Sequence, residues 1–223
     1  MISDYFNMDN DISRTIVHRL LEVKAIKFNF REPFIWTSGW KSPIYCDNRM
    51  SLSDNSIRTL TKDAYTQIIK EKFPEVEVIA GVATGAIAQG ALVADKLGLP
   101  FVYVREKRKE HGLKKIIEGI LEKGQKVVVV EDLVSTGGSS IRALEELIVA
   151  QANILGMVSA FSYDFPEARE KIMEKKCSLY TISSFFTIID VAFKEGYITK
   201  EEVNDLIKWH HNPQEYIGLP DSL

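Results

Sequence analysis

The sequence is poor in cysteine, carries little net charge and lacks any long apolar run. Its 223 residues include only Cys46 and Cys177, which lie far apart and form no CxxC pair. This usage is typical of a reducing compartment. The longest apolar runs, such as residues 127–130, fall far short of the roughly 18 residues that a membrane span needs. The N-terminus lacks the pattern of a signal peptide, so we expect a cytoplasmic protein.

The charge balance argues against a nucleic-acid partner. Lys and Arg number 28 and Asp and Glu number 31, which gives a formal net charge of −3. Nucleic-acid binders usually carry a basic surface that neutralises phosphates. Hydrophobic residues make up 45% of the chain, which is enough for one sizeable core without a disulfide or metal. We therefore expect a single domain over residues 1–223, with neither a membrane nor a nucleic acid as partner.

Short runs of valine and isoleucine without alternation recur from residue 76 onward. Such runs indicate strands buried on both faces, as in parallel sheets. The segments between them have helical periodicity, so the sequence predicts an α/β fold with a central parallel sheet flanked by helices. The predicted strands are residues 76–80, 101–104, 127–130, 154–161 and 179–182. The predicted helices are residues 87–97, 139–150 and 166–175, preceded by two helices capped by Asp11 and Ser53.

Residues 127–140 join a buried strand to a helix through a loop of Ser, Thr and Gly. Glu131 and Asp132 follow four valines, and at a strand end both carboxylates can reach a sugar. The amides of residues 135–139 can point at one phosphate, aided by the helix N-terminus. Because ligands of such sheets bind outside the carboxyl ends of the strands, the pattern favours a sugar phosphate. The alternative is a tight β–α turn with good capping residues.

This segment lacks the GxxxxGK[ST] and GxGxxG nucleotide motifs and resembles the 5-phosphoribosyl-1-pyrophosphate (PRPP) signature of type I phosphoribosyltransferases. The resemblance implies a parallel-sheet core over about residues 53–183, a flexible loop, and a small hood mainly within residues 1–52 with C-terminal helices. It also implies that Glu131 and Asp132 hold the ribose. The other implied PRPP contacts in this segment are Leu133, Val134, Ser135, Thr136, Gly137, Gly138 and Ser139.

Two further stretches are similar to the orotate phosphoribosyltransferase family. Residues 36–45 match its SG-x-x-SP-x-Y segment, and residues 105–112 match its R-x-x-x-K-x-H-G loop. The resemblance implies that Arg105 binds PRPP from the loop base. It also implies that Lys109 and His111 reach the pyrophosphate, usually from the partner subunit of a homodimer. On charge alone, this loop could equally be a solvated surface segment.

The remaining candidate residues surround the implied pyrophosphate and base. The candidate pyrophosphate loop is Ala83, Thr84 and Gly85. These residues follow a predicted strand and begin a helix, so they form either an anion site or a plain β–α turn. The candidate base-binding residues are Ser38, Tyr45, Arg49 and Ser135. Any metal should be Mg²⁺, coordinated largely by substrate oxygens and not directly by the protein.

Several positions depart from the family pattern. Many members carry Lys at the positions that Thr37 and Gly85 occupy here, and a second basic residue is common where Glu106 stands. Some members bind the orotate carboxylate with an Arg that follows a strand, but residues 162–165 contain none. These departures leave the contact to the orotate carboxylate unassigned.

The resemblance implies an Mg²⁺-dependent enzyme that joins orotate to PRPP, giving orotidine 5′-monophosphate and pyrophosphate for pyrimidine synthesis. The implied catalytic residues are Lys109, His111 and Asp132. Catalysis would depend on positioning and on stabilisation of the leaving group. The alternatives are a purine phosphoribosyltransferase of the xanthine type and a PRPP-sensing regulator without catalysis.

Overall fold

The computed structural model describes residues 5–7, 11–36, 38–106 and 116–218. The strands in these ranges are β1 (Tyr5–Asn7), β2 (Ile26–Phe28), β3 (Phe34–Ile35), β4 (Lys41–Ser42), β5 (Ile44–Cys46), β6 (Val78–Val82), β7 (Phe101–Val104), β8 (Ile117–Glu118), β9 (Lys126–Val134), β10 (Asn153–Ser162) and β11 (Leu179–Ser184). The helices are α1 (Asp11–Glu22), α2 (Asn55–Lys72), α3 (Ala86–Leu97), α4 (Gly138–Val149), α5 (Pro166–Glu174), α6 (Phe185–Lys194) and α7 (Lys200–His211). Two 3₁₀-helices span Asn48–Ser53 and Pro213–Glu215.

The main sheet has seven strands in the order β1-β11-β10-β9-β6-β7-β8. Its neighbouring strands are parallel except β7 and β8, which are antiparallel. The four valines of residues 127–130 in β9 are fully buried, and because successive side chains point to opposite faces, both faces of this strand are covered. The predicted α/β fold with a central parallel sheet is confirmed.

Strand β9 is longer than the sequence predicts. The prediction ends it at Val130, before the two acidic residues, whereas the strand continues to Val134. Its neighbour β10 accounts for the extension, because Glu131 pairs with Ser159 and Val134 pairs with Ser162. The acidic residues therefore lie within the strand and not in the loop after it.

Two other differences concern helices. The predicted cap Ser53 is wrong by one residue, because the carboxylate of Asp54 accepts hydrogen bonds from the amides of Ser56 and Ile57 at the start of α2. Helix α6 is missing from the prediction, because it is strongly apolar and even its exposed positions include Phe186 and Phe193. A capping box of Thr199 and Glu202 starts α7, in which each side chain accepts a hydrogen bond from the backbone amide of the other residue.

The N-terminal region forms two small antiparallel sheets, β2 with β5 and β3 with β4. The ring of Trp36 packs against Tyr163 after β10, at 4.6 Å between centroids. The indole of Trp209 in α7 donates a hydrogen bond to the carbonyl of Lys41 at 2.9 Å. The division into a hood and a core stays a prediction, with β1 pairing in the main sheet beside β11. In the described ranges, no helix is long and apolar enough to span a membrane.

His210 fastens α7 to the end of β10. Its ring lies between those of Phe165 and Phe185, with centroids at 5.1 and 4.6 Å and nearly parallel planes. Its Nε2 donates to the carbonyl oxygen of Tyr163 at 2.7 Å, since only a protonated nitrogen can bond a carbonyl. Burial lowers the pKa of His210 below its usual value. The folded protein therefore favours the neutral imidazole.

We expect His210→Gln to weaken the loss of stability in acid, because the amide retains a donor but does not titrate. The folded-state pKa lies below 6.5, so the stabilising effect of the neutral ring is complete above that pH and declines as the pH falls below it. Thermal unfolding from pH 8 to pH 5 measures this. His211→Gln removes only the smaller effect of the neighbouring ring on the pKa of His210, so it should weaken the loss of stability in acid less than His210→Gln does. An unchanged acid slope in His210→Gln would contradict the assignment.

Candidate active site

The carboxyl end of β9 is held by side chains as well as by strands. Pairing between β6 and β9 ends at Gly81 and Val130, so the backbone beyond that point needs other partners on this side. The hydroxyl of Tyr65 in α2 donates to the carbonyl of Glu131 at 2.5 Å. The side-chain amide of Asn48 donates a hydrogen bond to the backbone carbonyl of Asp132 at 2.7 Å. These bonds fix the two acidic residues at the edge of the sheet.

Glu131 is directed toward the first turn of α4. Its side chain is buried, with 2% of the residue exposed. One carboxylate oxygen accepts a hydrogen bond from the Ser140 hydroxyl at 2.8 Å, and the Ser139 hydroxyl lies 3.4 Å from the same oxygen. Burial and the neighbouring charge of Asp132 raise the pKa of Glu131 well above its usual value. Its contact with a ribose stays a prediction.

Asp132 lies against the predicted pyrophosphate loop. A Cβ atom added to Gly85 would fall 2.0 Å from an oxygen of the Asp132 carboxylate. Gly85 has helical backbone angles, φ −60° and ψ −40°, so its backbone would accept any residue. Glycine is needed at this position because any side chain would enter the space that the Asp132 carboxylate occupies. Burial raises the pKa of Asp132, and the positive charge of Arg49 acts in the opposite direction.

Two helices begin at this edge without a side-chain cap. Helix α4 follows residues 135–137, where Gly137 has a φ of 80° that disfavours other residues. Helix α3 follows the predicted pyrophosphate loop, where the peptide bond between Ala83 and Thr84 is cis. Uncapped N-terminal amides and the helix dipole together attract anions. Both loops can therefore receive a phosphate group.

A cavity of ≈ 300 Å³ opens between the N-terminal strands β3 and β5 and the end of β9. Its lining residues are Ile35, Trp36, Ser38, Tyr45, Cys46, Leu133, Ser135, Thr136 and Tyr163. We call this cavity the base pocket. It brings together Ser38, Tyr45 and Ser135, as predicted, and its size and aromatic walls suit a small planar ligand. Sequence reasoning missed Cys46 and Tyr163, because buried residues of these types usually belong to a core.

Arg49, the fourth predicted base-binding residue, does not line the base pocket. Its guanidinium donates to both carboxylate oxygens of Asp47, at 2.7 and 2.9 Å. This ion pair lowers the pKa of Asp47 and directs Arg49 to the neighbourhood of Asp132. Among the described residues that line the base pocket, none is a Lys or an Arg.

Arg105 lies at the start of the predicted flexible loop. Its backbone amide donates to the carbonyl of Ile116 at 2.9 Å, and its guanidinium lies 3.5 Å from the carboxylate of Glu118 in β8. These contacts bring the two sides of the loop base together. Lys109 and His111 fall in residues 107–115, outside the described residues.

Comparison with known proteins defines the class. A model of the phosphoribosyl transferase domain matches residues 51–195. The structure of UMP synthase from Leishmania donovani superposes with a TM-score of 0.76 and 24% sequence identity, over 89% of this chain and 42% of that one. The chain thus spans less than half of that protein, and this likeness shows the fold alone. Fold and domain match together define a phosphoribosyltransferase.

Relatives with higher identity narrow the class. The orotate phosphoribosyltransferase of Bacteroides thetaiotaomicron is 50% identical over 206 residues, which cover 92% of this chain and 97% of the relative. That of Porphyromonas gingivalis is 49% identical over 205 residues, covering 92% and 98%. The crystal structure of orotate phosphoribosyltransferase from Aeropyrum pernix superposes with a TM-score of 0.71 and 28% identity, over 82% and 99%. The chain belongs to the orotate phosphoribosyltransferase family, as the sequence motifs indicate.

We expect Gly85→Ala to destabilise the fold by about 1–3 kcal/mol, because the added methyl group overpacks the site of the Asp132 carboxylate. Activity should fall with it, since the carboxylate must move. Urea unfolding and initial rates measure the two effects. In an Asp132→Ala background the same substitution should cost little stability, because the clashing oxygens are gone. Equal costs in both backgrounds would show that the contact does not explain the glycine.

Proposed function

We propose that this chain transfers the phosphoribosyl group of PRPP to orotate at the carboxyl end of β9, giving orotidine 5′-monophosphate and pyrophosphate in pyrimidine biosynthesis. One observation carries the proposal. The Asp132 carboxylate lies against the uncapped start of α3, the carboxylate of its neighbour Glu131 lies against the uncapped first turn of α4, and the adjoining Leu133 and Ser135 line the base pocket. A sugar that bears a phosphate at one end and a pyrophosphate at the other, and that meets a planar base, requires these features together.

The two anion sites suit the two ends of PRPP. The 5′-phosphate binds the amides and hydroxyls of residues 135–139, at the start of α4. The pyrophosphate lies beside Ala83, Thr84 and Gly85, at the start of α3. Asp132, which faces this second loop, accepts hydrogen bonds from the ribose hydroxyls. Glu131 supports the first turn of α4 through Ser140 and supplies the second ribose contact.

Orotate occupies the base pocket between aromatic and hydroxyl-bearing side chains. Ser38 and Ser135 offer hydrogen bonds to the polar edges of the base, and Tyr45 provides an aromatic wall. A bond forms between the base nitrogen and the anomeric carbon of ribose while the bond from that carbon to pyrophosphate breaks, and the proton of that nitrogen is released to solvent. The electron pair leaves with pyrophosphate. The anion sites stabilise this leaving group, and the Asp132 carboxylate stabilises positive charge that develops on the ribose.

The residues at this edge suit Mg²⁺ bound through the substrate. Asp132 offers hard oxygen atoms, the ligand type that Mg²⁺ prefers, and Mg²⁺ commonly takes only one or two protein carboxylates beside substrate phosphates. Among the described residues, no group of three His, Cys, Asp or Glu side chains could hold a metal. The oxygens of PRPP would hold the ion, and Asp132 would supply a carboxylate beside it. When bound, the ion neutralises charge on the departing pyrophosphate.

The loop between Arg105 and Ile116 would complete the site. Lys109 and His111 carry the positive charge that the departing pyrophosphate needs, and closure of the loop would exclude water. We assign these residues to the neighbouring active site of a homodimer, with Arg105 holding the loop base. The substrates are charged and water-soluble, which supports a cytoplasmic location.

Asp132→Asn should reduce turnover with orotate by roughly 10²–10³-fold, because it removes the negative charge at the ribose. Pyrophosphate release measures this, with PRPP, Mg²⁺ and one base in each assay: orotate, xanthine, hypoxanthine, guanine, adenine or uracil. Asp95→Asn, a substitution of an exposed carboxylate on α3, is the control and should retain activity.

The comparison of bases tests whether orotate, an anion, is the base that binds in this pocket. The base pocket has no cation among its described lining residues, so the orotate carboxylate would be bound by hydroxyls and amides. Turnover with a purine and none with orotate would overturn the base assignment. PRPP binding without turnover for any base would favour a regulator.

A further inference from the structure

A second, much smaller cavity lies beside the Asp132 carboxylate and shares no lining residue with the base pocket. Its volume is ≈ 10 Å³, about the space that a single water molecule requires. Its polar lining residues include Arg49, Ser51, Thr61, Gln89 and Asp132, and Gly85 lies at its wall. It therefore lies where the 3₁₀-helix Asn48–Ser53, α2, α3 and β9 meet.

Two buried polar atoms in this cavity lack a partner. Thr61 is 4% exposed and Gln89 is 5% exposed. The Thr61 hydroxyl and the Gln89 side-chain oxygen form no hydrogen bond with any described residue. The other end of Gln89 is held, since its Nε2 lies 3.5 Å from the Ser51 hydroxyl. Because buried polar groups are almost always hydrogen-bonded, these two atoms require an occupant of the cavity.

The chemistry of the lining selects water as that occupant. The oxygens of Gln89 and ionised Asp132 can only accept hydrogen bonds, so the occupant must donate two. The Thr61 hydroxyl can donate one in return. Water satisfies all three groups at once. A metal cation is disfavoured because the guanidinium of Arg49 also borders the cavity.

We propose that one ordered water molecule in this cavity joins Thr61 and Gln89 to the Asp132 carboxylate, and that Thr61 and Gln89 are positioning residues for this acid. The water site itself is independent of the reaction, whereas its consequence for PRPP rests on the proposed function. The water thus fixes the direction of one carboxylate oxygen of Asp132 where this acid meets the ribose, and it gives the buried carboxylate a hydrogen-bond partner.

A crystal structure of the full chain, at a resolution that places water molecules, tests the site directly. We expect one density peak within hydrogen-bond distance of the Thr61 hydroxyl, the Gln89 side-chain oxygen and an Asp132 carboxylate oxygen. An empty cavity, or a cavity filled by a rotated side chain, would overturn the proposal. This result does not depend on which base the enzyme uses.

PRPP binding tests the role of the water. Thr61→Val keeps the shape of the side chain but removes the hydroxyl, so the water loses a partner and the Asp132 carboxylate is held less firmly. The Kd of PRPP, measured by calorimetry with Mg²⁺, should rise by about threefold or more, whereas Thr61→Ser, which keeps a hydroxyl, should retain the wild-type Kd. Gln89→Met should act in the same direction as Thr61→Val.

Thr66→Val is the matched control for this experiment. Thr66 lies on the same helix and is also 4% exposed, but its hydroxyl donates to the carbonyl of Lys62 at 2.8 Å and does not line the cavity. Its Kd for PRPP should stay at the wild-type value. Equal rises in the Kd of both threonine-to-valine variants, or no rise in Thr61→Val, would overturn the positioning role. Failure of orotate turnover in the wild type, with these binding results intact, would count against the proposed function alone.

Discussion

The site depends on a strand that continues after one of its neighbours has ended. Pairing with β6 stops at Val130, while β10 accompanies β9 to Val134. The extension brings two carboxylates to the edge of the sheet and leaves one side of the backbone without a strand. An extension of this kind is stable only where other groups bind the backbone and balance the charges. Much of the surrounding structure serves this requirement.

The side chains that bind the extended part of β9 come from distant parts of the sequence. Tyr65 in α2 and Asn48 in the 3₁₀-helix bind the carbonyls of the acidic residues. Ser140 in α4 binds the carboxylate of Glu131. Gly85, before α3, leaves room for Asp132. A shift of any of these elements would move a carboxylate, so the packing of the core determines the geometry of the site.

The small N-terminal sheets are attached to the same part of the main sheet. Asn48 follows β5 directly, so its side-chain hydrogen bond to the carbonyl of Asp132 joins this region to the acidic residue. On the other side of the base pocket, Trp36 packs on Tyr163, and His210 binds the Tyr163 carbonyl. The base pocket therefore has one wall fixed by β9 and another fixed by α7. A planar base would bind in a cleft whose two sides are each anchored to the sheet.

Sequence patterns predicted the parts of this arrangement that depend on local physics. Unalternated valines indicate a buried strand, and a Ser-Thr-Gly-Gly loop before a helix indicates an anion site. The extension of β9 could not be predicted, because charged residues after a strand usually mark its end and only the register with β10 shows otherwise. The separation of Arg49 from the base pocket depends on its ion pair with Asp47, a pairing that sequence spacing does not reveal. The roles of Lys109 and His111 stay predictions.

The two acidic residues differ in environment, and this difference reconciles them with an anionic substrate. Two adjacent carboxylates that are both charged would repel PRPP and each other. Burial raises the pKa of both, but Glu131 is the more deeply enclosed and receives the added effect of its neighbour. Asp132 has the charge of Arg49 close by, which favours its ionised form. The environment thus favours negative charge on Asp132 more than on Glu131, whose carboxylate accepts a hydrogen bond from Ser140 at the start of α4.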